Sequence, residues 1–580
     1  MTDIDLSVLN GRNGFTIQGV SQDGFLGDAV SDGGDINGDG LADILIGAEN
    51  ADVDGDNNQG QVSVIFGSND SFSESITVDE LDGNNGFTID GIQNDQRFGA
   101  SVSFAGDVNG DDISDIVIGA NNTNSGRGDS YIIFGRSSFN ESLDLTNLNG
   151  SNGFKVDGIT EDDRFGRAVS EAGDLNNDGI DDILITANFV DVDGNENAGA
   201  AYVIFGNEDD FPDDLDLTDI DGNNGFILNG IGVDDFTGFS ASGGEDFNGD
   251  GIDDLLVSSP GVNPEGRENA GRTYVVFGRD SEFPDELDLA NLNGFNGFDI
   301  NGIVADDASG VSVSAAGDVN NDGIADIGIG APFADGSNEN AGQSYIVYGS
   351  ETVVSEGSFS LNDLDGSNGF VINGAEVDDQ LGTSISAAGD VNNDDIDDFI
   401  VGAVGAEEEA GTSYVVFGSD EFEGTLNLSD LNINRGFAID GIVGGDGTTP
   451  GDRSGEAVSG AGDVNNDGID DLLVGAPQAS PVIDDDNSQI RDAGEAYVVY
   501  GRVENLGDVN NDNAYTNEDA YLISRVAVGL DSAFEAYSGI DPLLVADVNS
   551  DGVVSALDSA IVYSAANDGT SNFILPDLEG

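Results

Sequence analysis

The chain lacks three side chains on which many enzymes and metal sites depend. Its 580 residues include no cysteine, no histidine and no tryptophan. Without cysteine there are no disulfides, so the redox compartment cannot be inferred from them. Without histidine, imidazole acid–base catalysis, Ser-His-Asp triads and histidine metal ligands are excluded. We expect that the chain is not an enzyme, although catalysis by carboxylates alone is not excluded by these absences.

Basic residues are also scarce. Lys and Arg total 15 against 114 Asp and Glu, so the formal net charge is −99, and Lys155 is the only lysine. A polyanion repels nucleic acid and anionic lipid, so neither is expected as a partner. Part of the charge is explained by a solvated surface in salty water. The rest is explained by carboxylates that bind cations.

Long apolar runs are missing as well. No run approaches the ~20 residues that span a bilayer, so membrane insertion is not expected. The first residues, MTDIDLSVLNG, lack the basic start and apolar core of a signal peptide. They resemble the internal segment LDLTNLNGSNG (143–153). The export route therefore stays open between a removed leader and another pathway.

One acidic loop, DxNxDGxxD, recurs seven times. The copies begin at intervals of 72, 67, 72, 72, 72 and 73 residues, at Asp35, Asp107, Asp174, Asp246, Asp318, Asp390 and Asp463. A fixed period of this size indicates a repeat architecture with one supersecondary unit per repeat. The loop is therefore expected at the same place in each unit.

Each repeat carries four segments of alternating apolar residues, which is the pattern of half-buried strands. In the second repeat they are RFGASVSFAGD (97–107), DIVIGA (115–120), GDSYIIFG (128–135) and NGFKVDG (152–158). Four antiparallel strands in each of seven repeats predict an all-β fold, a seven-bladed β-propeller. A parallel β-helix is the alternative, but its coils need a much shorter period.

The ends of the repeat region predict how the ring closes. The seventh repeat has its acidic loop, second strand and third strand (494–501), but no fourth strand follows. The matching segment, NGFTIQG (13–19), precedes the first complete repeat. Pairing residues 13–19 with blade seven would remove two exposed sheet edges. We therefore expect a propeller over residues 1–501 and a separate domain over 502–580.

The acidic loops present the oxygen ligands that calcium prefers, which are carboxylates, amide oxygens and a backbone carbonyl. Magnesium is less expected because it keeps its waters. Position seven supplies the carbonyl, and positions one, three, five and nine supply side chains. The predicted ligands are Asp35, Asn37, Asp39, Leu41, Asp43; Asp107, Asn109, Asp111, Ile113, Asp115; Asp174, Asn176, Asp178, Ile180, Asp182; Asp246, Asn248, Asp250, Ile252, Asp254; Asp318, Asn320, Asp322, Ile324, Asp326; Asp390, Asn392, Asp394, Ile396, Asp398; and Asp463, Asn465, Asp467, Ile469, Asp471.

The alternative for each loop is an ion-free Asx turn. Three converging carboxylates without a cation would repel one another, which disfavours that interpretation. Position six is Gly in five loops, as a left-handed turn requires, but Asp112 and Asp395 stand there in loops two and six. These two sites are expected to be the weakest. The acidic turns at 51–60 and 191–199 are better explained as solvated hairpin tips than as calcium sites. The Arg127-Gly128-Asp129 tripeptide is better explained as a chance match to the sequence that integrins recognise.

At this point the repeats resemble a known family. The Phe-Gly of RFG (97–99 and 164–166) and the Gly-Ala-Pro of IGAP (329–332) and VGAP (474–477) are the FG-GAP pattern. The repeats are similar to the seven-bladed propeller of integrin α-subunits and its bacterial relatives. That resemblance implies calcium loops in some blades. It covers about residues 1–501, and the leg domains and membrane segment of an integrin have no counterpart in this sequence.

The last segment follows another pattern. Two longer loops, DVNNDNAYTNED (508–519) and DVNSDGVVSALD (547–558), have EF-hand spacing, and each leads into a predicted helix. The duplicated loop–helix resembles a type I dockerin, which implies docking on a cohesin through Asn517, Glu518, Ala556 and Leu557. A calcium-stabilised cap without a partner is the alternative. The predicted calcium ligands are Asp508, Asn510, Asp512 and Asp519, and Asp547, Asn549, Asp551 and Asp558.

Together these features predict about nine calcium ions and an extracellular or cell-surface adhesion or scaffold protein. Its propeller would bind a protein or carbohydrate ligand, and its tail would dock a cohesin-like partner. A second hypothesis is a non-catalytic accessory subunit of a polysaccharide-degrading, cellulosome-like complex. A third is a glycoside or phosphoester hydrolase that uses paired carboxylates. Acidic pairs are too common in this sequence to identify such a catalytic pair.

Overall fold

A computed structural model describes residues 4–53, 57–208, 211–336, 338–351, 357–432, 434–445, 451–481, 489–502 and 517–527, and the single residues 546, 554, 559, 562 and 563. Seven sheets form the seven blades of a β-propeller. Their first strands contact one another in a closed ring around the central axis. The predicted all-β, seven-bladed architecture is therefore confirmed.

The four inner strands of each blade are antiparallel and follow one another outward. From blade one to blade seven, the first strands are Ala29–Gly34, Phe98–Gly106, Val169–Gly173, Ala241–Glu245, Ser312–Gly317, Leu381–Gly389 and Val458–Gly462. The second strands are Asp43–Ala48, Asp115–Ala120, Asp182–Ala187, Asp254–Ser259, Asp326–Ala331, Asp398–Ala403 and Asp471–Ala476. The third strands are Gln61–Ile65, Asp129–Ile133, Ala200–Ile204, Arg272–Val276, Gln343–Val347, Thr412–Val416 and Glu495–Val499. The fourth strands are Gly86–Asp90, Gly153–Asp157, Gly225–Asn229, Gly297–Asn301, Gly369–Asn373, Gly436–Asp440 and Gly14–Gln18.

A fifth, outermost strand corrects the prediction of four-stranded blades. It runs parallel to the fourth strand and comes from the segment between the third and fourth strands of the next blade. Two or three residues are too few to show a period-two pattern, which is why the sequence did not reveal it. From blade one to blade seven, the fifth strands are Ser142–Leu143, Asp214–Asp216, Glu286–Asp288, Ser358–Ser360, Thr425–Asn427, Ile4–Asp5 and Ser75–Thr77.

Helices in the described residues are short. A 3₁₀ turn follows each fifth strand, at Leu6–Val8, Val78–Glu80, Leu145–Asn147, Leu217–Asp219, Leu289–Asn291, Leu361–Asp363 and Leu428–Asp430, and another lies at Pro264–Gly266. Single turns occupy Thr123–Gly126 and Ala406–Glu409, and one longer helix occupies Asn517–Ala527. None of the described helices is long and apolar enough to cross a membrane.

The hydrophobic core is divided among the seams between blades. Seven apolar clusters each combine side chains from two neighbouring blades. The second strands are buried along their whole length because a blade lies on each side of them. In several seams a fourth-strand phenylalanine stacks on a phenylalanine of the next blade, as Phe87 does on Phe139 with 4.1 Å between ring centroids. Each blade therefore depends on both neighbours.

The N-terminal segment forms the outer part of blade seven. Gly14–Gln18 pairs antiparallel with Glu495–Val499 and parallel with Ser75–Thr77. Ile4–Asp5 pairs with the fourth strand of blade six. Phe15 is fully buried and stacks on Phe72 at 4.3 Å. The two ends of the repeat region are thus joined within one sheet.

Little of the predicted C-terminal domain is described. The helix Asn517–Ala527 overlaps the first helix that the sequence predicts (518–530). Ile523 and Val562 are fully buried, and the Ser559 hydroxyl donates to the Ala520 carbonyl at 2.6 Å. Asp508, Asn510, Asp512, Asp547, Asn549, Asp551, Ala556, Leu557 and Asp558 lie outside the described residues, as do the side chains of Asn517, Glu518 and Asp519. The dockerin-like domain and its boundary at residue 502 remain predictions.

Candidate cation-binding loops

Each acidic loop joins the first and second strands of its blade and folds around its own carboxylates. In loop one, Asp35 Oδ1 accepts from the Gly38 and Asp39 amides at 2.7 and 3.1 Å, and its Oδ2 accepts from Gly40 at 2.7 Å. Asp39 Oδ1 accepts from the Leu41 amide at 3.0 Å. The bond from position seven to position five recurs in all seven loops. These bonds orient positions one and five toward the loop interior.

Position nine is the first residue of the second strand and is fully buried in every loop. In loop one, Asp43 accepts from the Ile36 amide at 3.0 Å and from the Gly67 amide, at the end of the third strand, at 2.8 Å. An amide at the Gly67 position donates to position nine in each blade. This carboxylate therefore ties the acidic loop to the second and third strands.

Position three lies against position nine. The Asn109 Nδ2 is 3.1 and 3.0 Å from the two Asp115 oxygens, and the equivalent contact exists in six of the loops, at Asn37, Asn109, Asn248, Asn320, Asn392 and Asn465. The side chains of positions one, three, five and nine are thus grouped at one rim of the propeller.

The position-nine carboxyls have raised pKa values. Burial is the main cause, and repulsion from the carboxylates of positions one and five adds to it. The pKa is raised to about 8 at Asp43, Asp115, Asp254 and Asp326 and to about 9 at Asp398, and it lies well above the usual range at Asp182 and Asp471. Three carboxylates therefore interact electrostatically within each loop, and a bound cation would remove their repulsion.

Two positions of the loop need left-handed backbone. Position six has φ between 65° and 92° in all seven loops, including Asp112 at 65° and Asp395 at 66°. Position four is also left-handed throughout, at Gly38, Gly110, Asn177, Gly249, Asn321, Asn393 and Asn466. The sequence prediction included position six but missed position four. The restriction of that position to Gly and Asn was the available signal.

Two buried oxygens at predicted ligand positions are compatible with a cation. Asp182 Oδ2 and Asn392 Oδ1 are inaccessible to solvent and have no hydrogen-bond partner. A buried oxygen without a partner is costly, and a cation would satisfy it. As the side chains stand, no three acidic groups in the described part of the chain are arranged to hold a metal ion. The donor set fits calcium, although the ligand geometry is not fully assembled.

The Arg127-Gly128-Asp129 tripeptide is not displayed. Asp129 is fully buried in the third strand of blade two, and its carboxylate lies 2.9 Å from Arg127 Nη2 and 3.1 Å from Lys155 Nζ. Burial raises its pKa to about 6. The tripeptide is therefore part of an internal ion-pair network with Asp157. This arrangement agrees with a chance match to the recognition motif.

The opposite rim of the propeller, here called the loop face, carries the loops from second to third strands and from fourth strands to the next blade. Asn58 and Asp95 join the two kinds of loop with a side-chain hydrogen bond of 3.1 Å, and blades three to five repeat the bond. The predicted turns at 51–60 and 191–199 belong to this face. Asp52 and Asp191 accept amide hydrogen bonds within them, as ordinary hairpin tips do.

The loop face exposes aliphatic side chains in an otherwise acidic protein. Most of the exposed large hydrophobic residues of the propeller lie in its loops between blades. They are exposed by 38% to 55%, and they are Ile92, Ile159, Ile231, Val233, Val304, Val377, Ile442 and Val443. Scattered exposed apolar residues are ordinary, but a set on one face often marks a binding surface.

A charged cluster lies where the loop face meets the axis. Arg97 Nη1 is 3.7 Å from Glu49, and Arg453 Nε is 2.6 Å from Glu456. Burial, with repulsion from Glu49 and Glu456, raises the pKa of Asp28 to about 8. The chain has only 15 basic residues, and three of them, Arg97, Arg167 and Arg453, interact with carboxylates of this cluster. Perturbed carboxyls of this kind are common at functional sites.

Comparison with known proteins identifies the repeats. The FG-GAP repeat model matches residues 29–65, 98–133, 165–204, 237–276, 309–347 and 454–499. Six of the seven blades thus match the FG-GAP repeat model. The matched segments cover the first three strands of every blade except blade six, and the resemblance drawn from the sequence is confirmed for the propeller.

Two kinds of curated protein match the chain. A phosphatidylinositol-glycan-specific phospholipase D of Dictyostelium discoideum is 28% identical over 48% of this chain and 29% of its own length. Integrin alpha-8 of Gallus gallus is 26% identical over 42% of this chain and 20% of its own length. The chain therefore spans less than a third of these relatives. Among solved structures, Chaetomium thermophilum Sqt1 bound to the N-terminus of the ribosomal protein L10 aligns over 80% of this chain and 85% of its own, at 12% identity and a TM-score of 0.32.

Proposed function

We propose that this protein is an extracellular, calcium-binding adhesion or scaffold protein without catalytic activity. Its loop face binds a protein or carbohydrate ligand, and its tail docks a cohesin-like partner. The exposed aliphatic residues of the loop face are the observation that carries the proposal. The integrin relatives support a role in ligand binding, while the phospholipase D relatives leave a part in an enzyme as the alternative.

Calcium would be held by positions one, three, five and nine of each acidic loop and by the carbonyl of position seven. It would supply charge that offsets three carboxylates and would fix the turn between the first and second strands. The raised pKa values at position nine and the unpartnered oxygens of Asp182 and Asn392 support this assignment. Calcium at one rim would thus stiffen the blades that support the ligand-binding rim.

In this proposal the rim with the acidic loops stabilises the propeller, and the loop face binds the ligand. The acidic loops are tied to the strands by backbone hydrogen bonds to buried carboxylates, whereas the loop face leaves its aliphatic side chains exposed. An apolar surface surrounded by carboxylates fits a ligand with an apolar centre and polar or basic groups around it. The proposed docking role of the tail rests on its two EF-hand-like loops in the sequence.

The ligand proposal can be tested with a loop-face variant. Ile159, Val377 and Ile442 are exposed by 50%, 55% and 42%, so their replacement by Ser should leave folding unchanged. Loss of three buried aliphatic contacts at an interface should weaken binding by about tenfold or more. Arrays of glycans and extracellular-matrix proteins would be probed in calcium with the full chain and with the I159S/V377S/I442S variant.

Phe295→Ser is the matched control, since Phe295 is exposed by 91% but lies outside the loop face, at the start of a fourth strand. Binding that survives the triple substitution but disappears in Phe295→Ser would contradict the assignment of the loop face. Binding that both variants retain, and that chelator abolishes, would assign recognition to the tail. Turnover of an arrayed glycan would favour the hydrolase alternative.

Loops two and six should bind calcium most weakly. Asp112 and Asp395 adopt left-handed backbone, which costs an L-residue about 1 kcal/mol. Burial, with repulsion that includes these same residues, raises the pKa of Asp111 and Asp394. Asp112→Gly and Asp395→Gly should therefore lower the calcium concentration needed to fill their own loops. Site-resolved titration checks this, with Gly179→Asp in loop three as the reciprocal control. Earlier filling of loops two and six in the unaltered protein would show that the argument is wrong.

A further inference from the structure

Position eight of the acidic loop contacts the loop of the preceding blade. Asp181 of loop three accepts from the backbone amide of Asp107, the first residue of loop two, at 2.7 Å. Asp253 of loop four accepts from the amide of Asp174 at 2.8 Å. The same bond, here called the latch, joins Asp397 to Asp318 at 2.8 Å and Asp470 to Asp390 at 3.0 Å. Position eight is not among the predicted ligands.

Among the described residues, the latch forms only where position eight is aspartate. Ala42, Ser114 and Ala325 stand at that position in loops one, two and five. A second hydrogen bond between neighbouring blades is present at every junction. In all seven junctions an amide just after the third strand donates to the position-two carbonyl of the preceding loop, as Asn207 does to Val108 at 3.0 Å. All seven junctions therefore have this backbone hydrogen bond, and four of them have the latch in addition to it.

The residue before position one is glycine in six of the seven loops, with or without a latch. In the four latched loops it is Gly106, Gly173, Gly317 and Gly389, each with positive φ, and an added Cβ would lie 2.2 to 2.6 Å from the latch carboxylate or its Cβ. In loop four the same place holds Glu245, and position eight of the next loop is Ala325. Gly34 and Gly462 stand at the other two junctions without a latch, so glycine permits the latch but does not mark it.

The latches divide the ring into two series. Loops two, three and four are joined through Asp181 and Asp253, and loops five, six and seven through Asp397 and Asp470. Within the described part of the chain, loop one has no latch to either neighbour, and no latch joins loop four to loop five. A closed ring of similar blades therefore has three junctions with a weaker link.

We infer that the latch couples cation binding between neighbouring acidic loops, so that calcium fills blades two to four and blades five to seven as two cooperative series. This inference rests on the proposed calcium function. Position eight lies between the ligands at positions seven and nine, so a cation in its loop fixes its backbone. The fixed carboxylate then holds the first residue of the preceding loop in place, which lowers the ordering cost of the next cation. Linkage makes the effect reciprocal.

Hydrogen–deuterium exchange of the full chain, followed by mass spectrometry across a calcium titration, resolves the loops separately. Asp253→Ala should raise the calcium concentration that protects loop three (174–182) by about fivefold, as a coupling free energy of the usual size predicts. Loop one (35–43) should be unchanged. Asp253→Asn keeps an acceptor oxygen and should retain most of the coupling.

Ala42→Asp adds a latch where none exists. Ala42 lies against Gly462, the residue before loop seven, so the aspartate can reach the Asp463 amide, and loop seven should be protected at lower calcium. If calcium protects no loop of the unaltered protein, the proposed calcium function fails and the inference fails with it. If calcium protects the loops but Asp253→Ala shifts loop three no more than loop one, only the latch inference is overturned. Equal losses in Asp253→Asn and Asp253→Ala would also overturn it.

Discussion

Deletion of residues 1–20 is expected to open the ring and cause aggregation. The segment provides the fourth strand of blade seven and the fifth strand of blade six. Without it the edge of Glu495–Val499 is exposed, and unpaired edges promote association between chains. Phe15 and Ile17, which are both fully buried, would also be lost from the seam between blades seven and one.

The size of this effect follows from the packing. Loss of a buried phenylalanine costs about 3–5 kcal/mol and loss of a buried isoleucine about 2–5 kcal/mol, which together approach the whole stability of many domains. Thermal unfolding and light scattering would compare the deletion with Phe15→Ala and with removal of residues 1–3 alone. A monomeric protein with an unchanged Tm after deletion of residues 1–20 would contradict ring closure by this segment.

Calcium removal should have the second large effect. A site saturated at a hundred times its Kd stabilises the folded state by about 2.7 kcal/mol, and seven such loops surround the propeller. Chelation should therefore lower the Tm by on the order of 10 °C or more. Magnesium should restore little, because its octahedral geometry and tightly held waters suit these loops poorly. The Tm measured in calcium, in chelator and in chelator followed by magnesium checks this result. An unchanged Tm in excess chelator would exclude a stabilising role.

The fold was largely predictable because the acidic loop and the strand patterns recur at a nearly constant interval in the sequence. Seven copies of the acidic loop set the blade number, and second strands such as Asp115–Ala120 were predicted as strands, although as half-buried ones, whereas the structure buries them along their whole length. Phe15 and Ile17 occupy the same pattern positions as Phe87 and Ile89, and all four are fully buried. These features are local, and local patterns are what a sequence shows directly.

Contacts between repeats were not predictable in the same way. The fifth strand belongs to the sheet of the preceding blade, and two-residue pairings such as Ser142–Leu143 leave no periodic trace. The latch joins position eight of one loop to position one of another about 80 residues away, so no spacing within a repeat reveals it. The exposed aliphatic side chains of the loop face resemble core residues until the strands around them are placed.

The sequence predicted which residue types form the candidate sites, but it did not predict how their side chains are arranged. The residue types at positions one, three, five and nine indicate an oxygen-rich site, and the structure groups them at one rim. It also shows that the position-nine carboxylate is buried and accepts a hydrogen bond from an amide at the end of the third strand. Position seven is half-buried in six of the loops and buried only at Ile469. The charged axial cluster with Asp28 has no local signal, because its members come from different blades.

The most direct test of the account is to count the calcium ions bound by the full chain, by equilibrium dialysis against a calcium buffer with magnesium in excess. The account predicts about nine ions per chain, seven on the propeller and two on the tail. Asp43→Asn, which replaces the position-nine carboxylate of loop one by a neutral amide, should lower the number of bound ions by about one while the other loops remain filled. A chain that binds no calcium in the presence of magnesium would contradict the central claim.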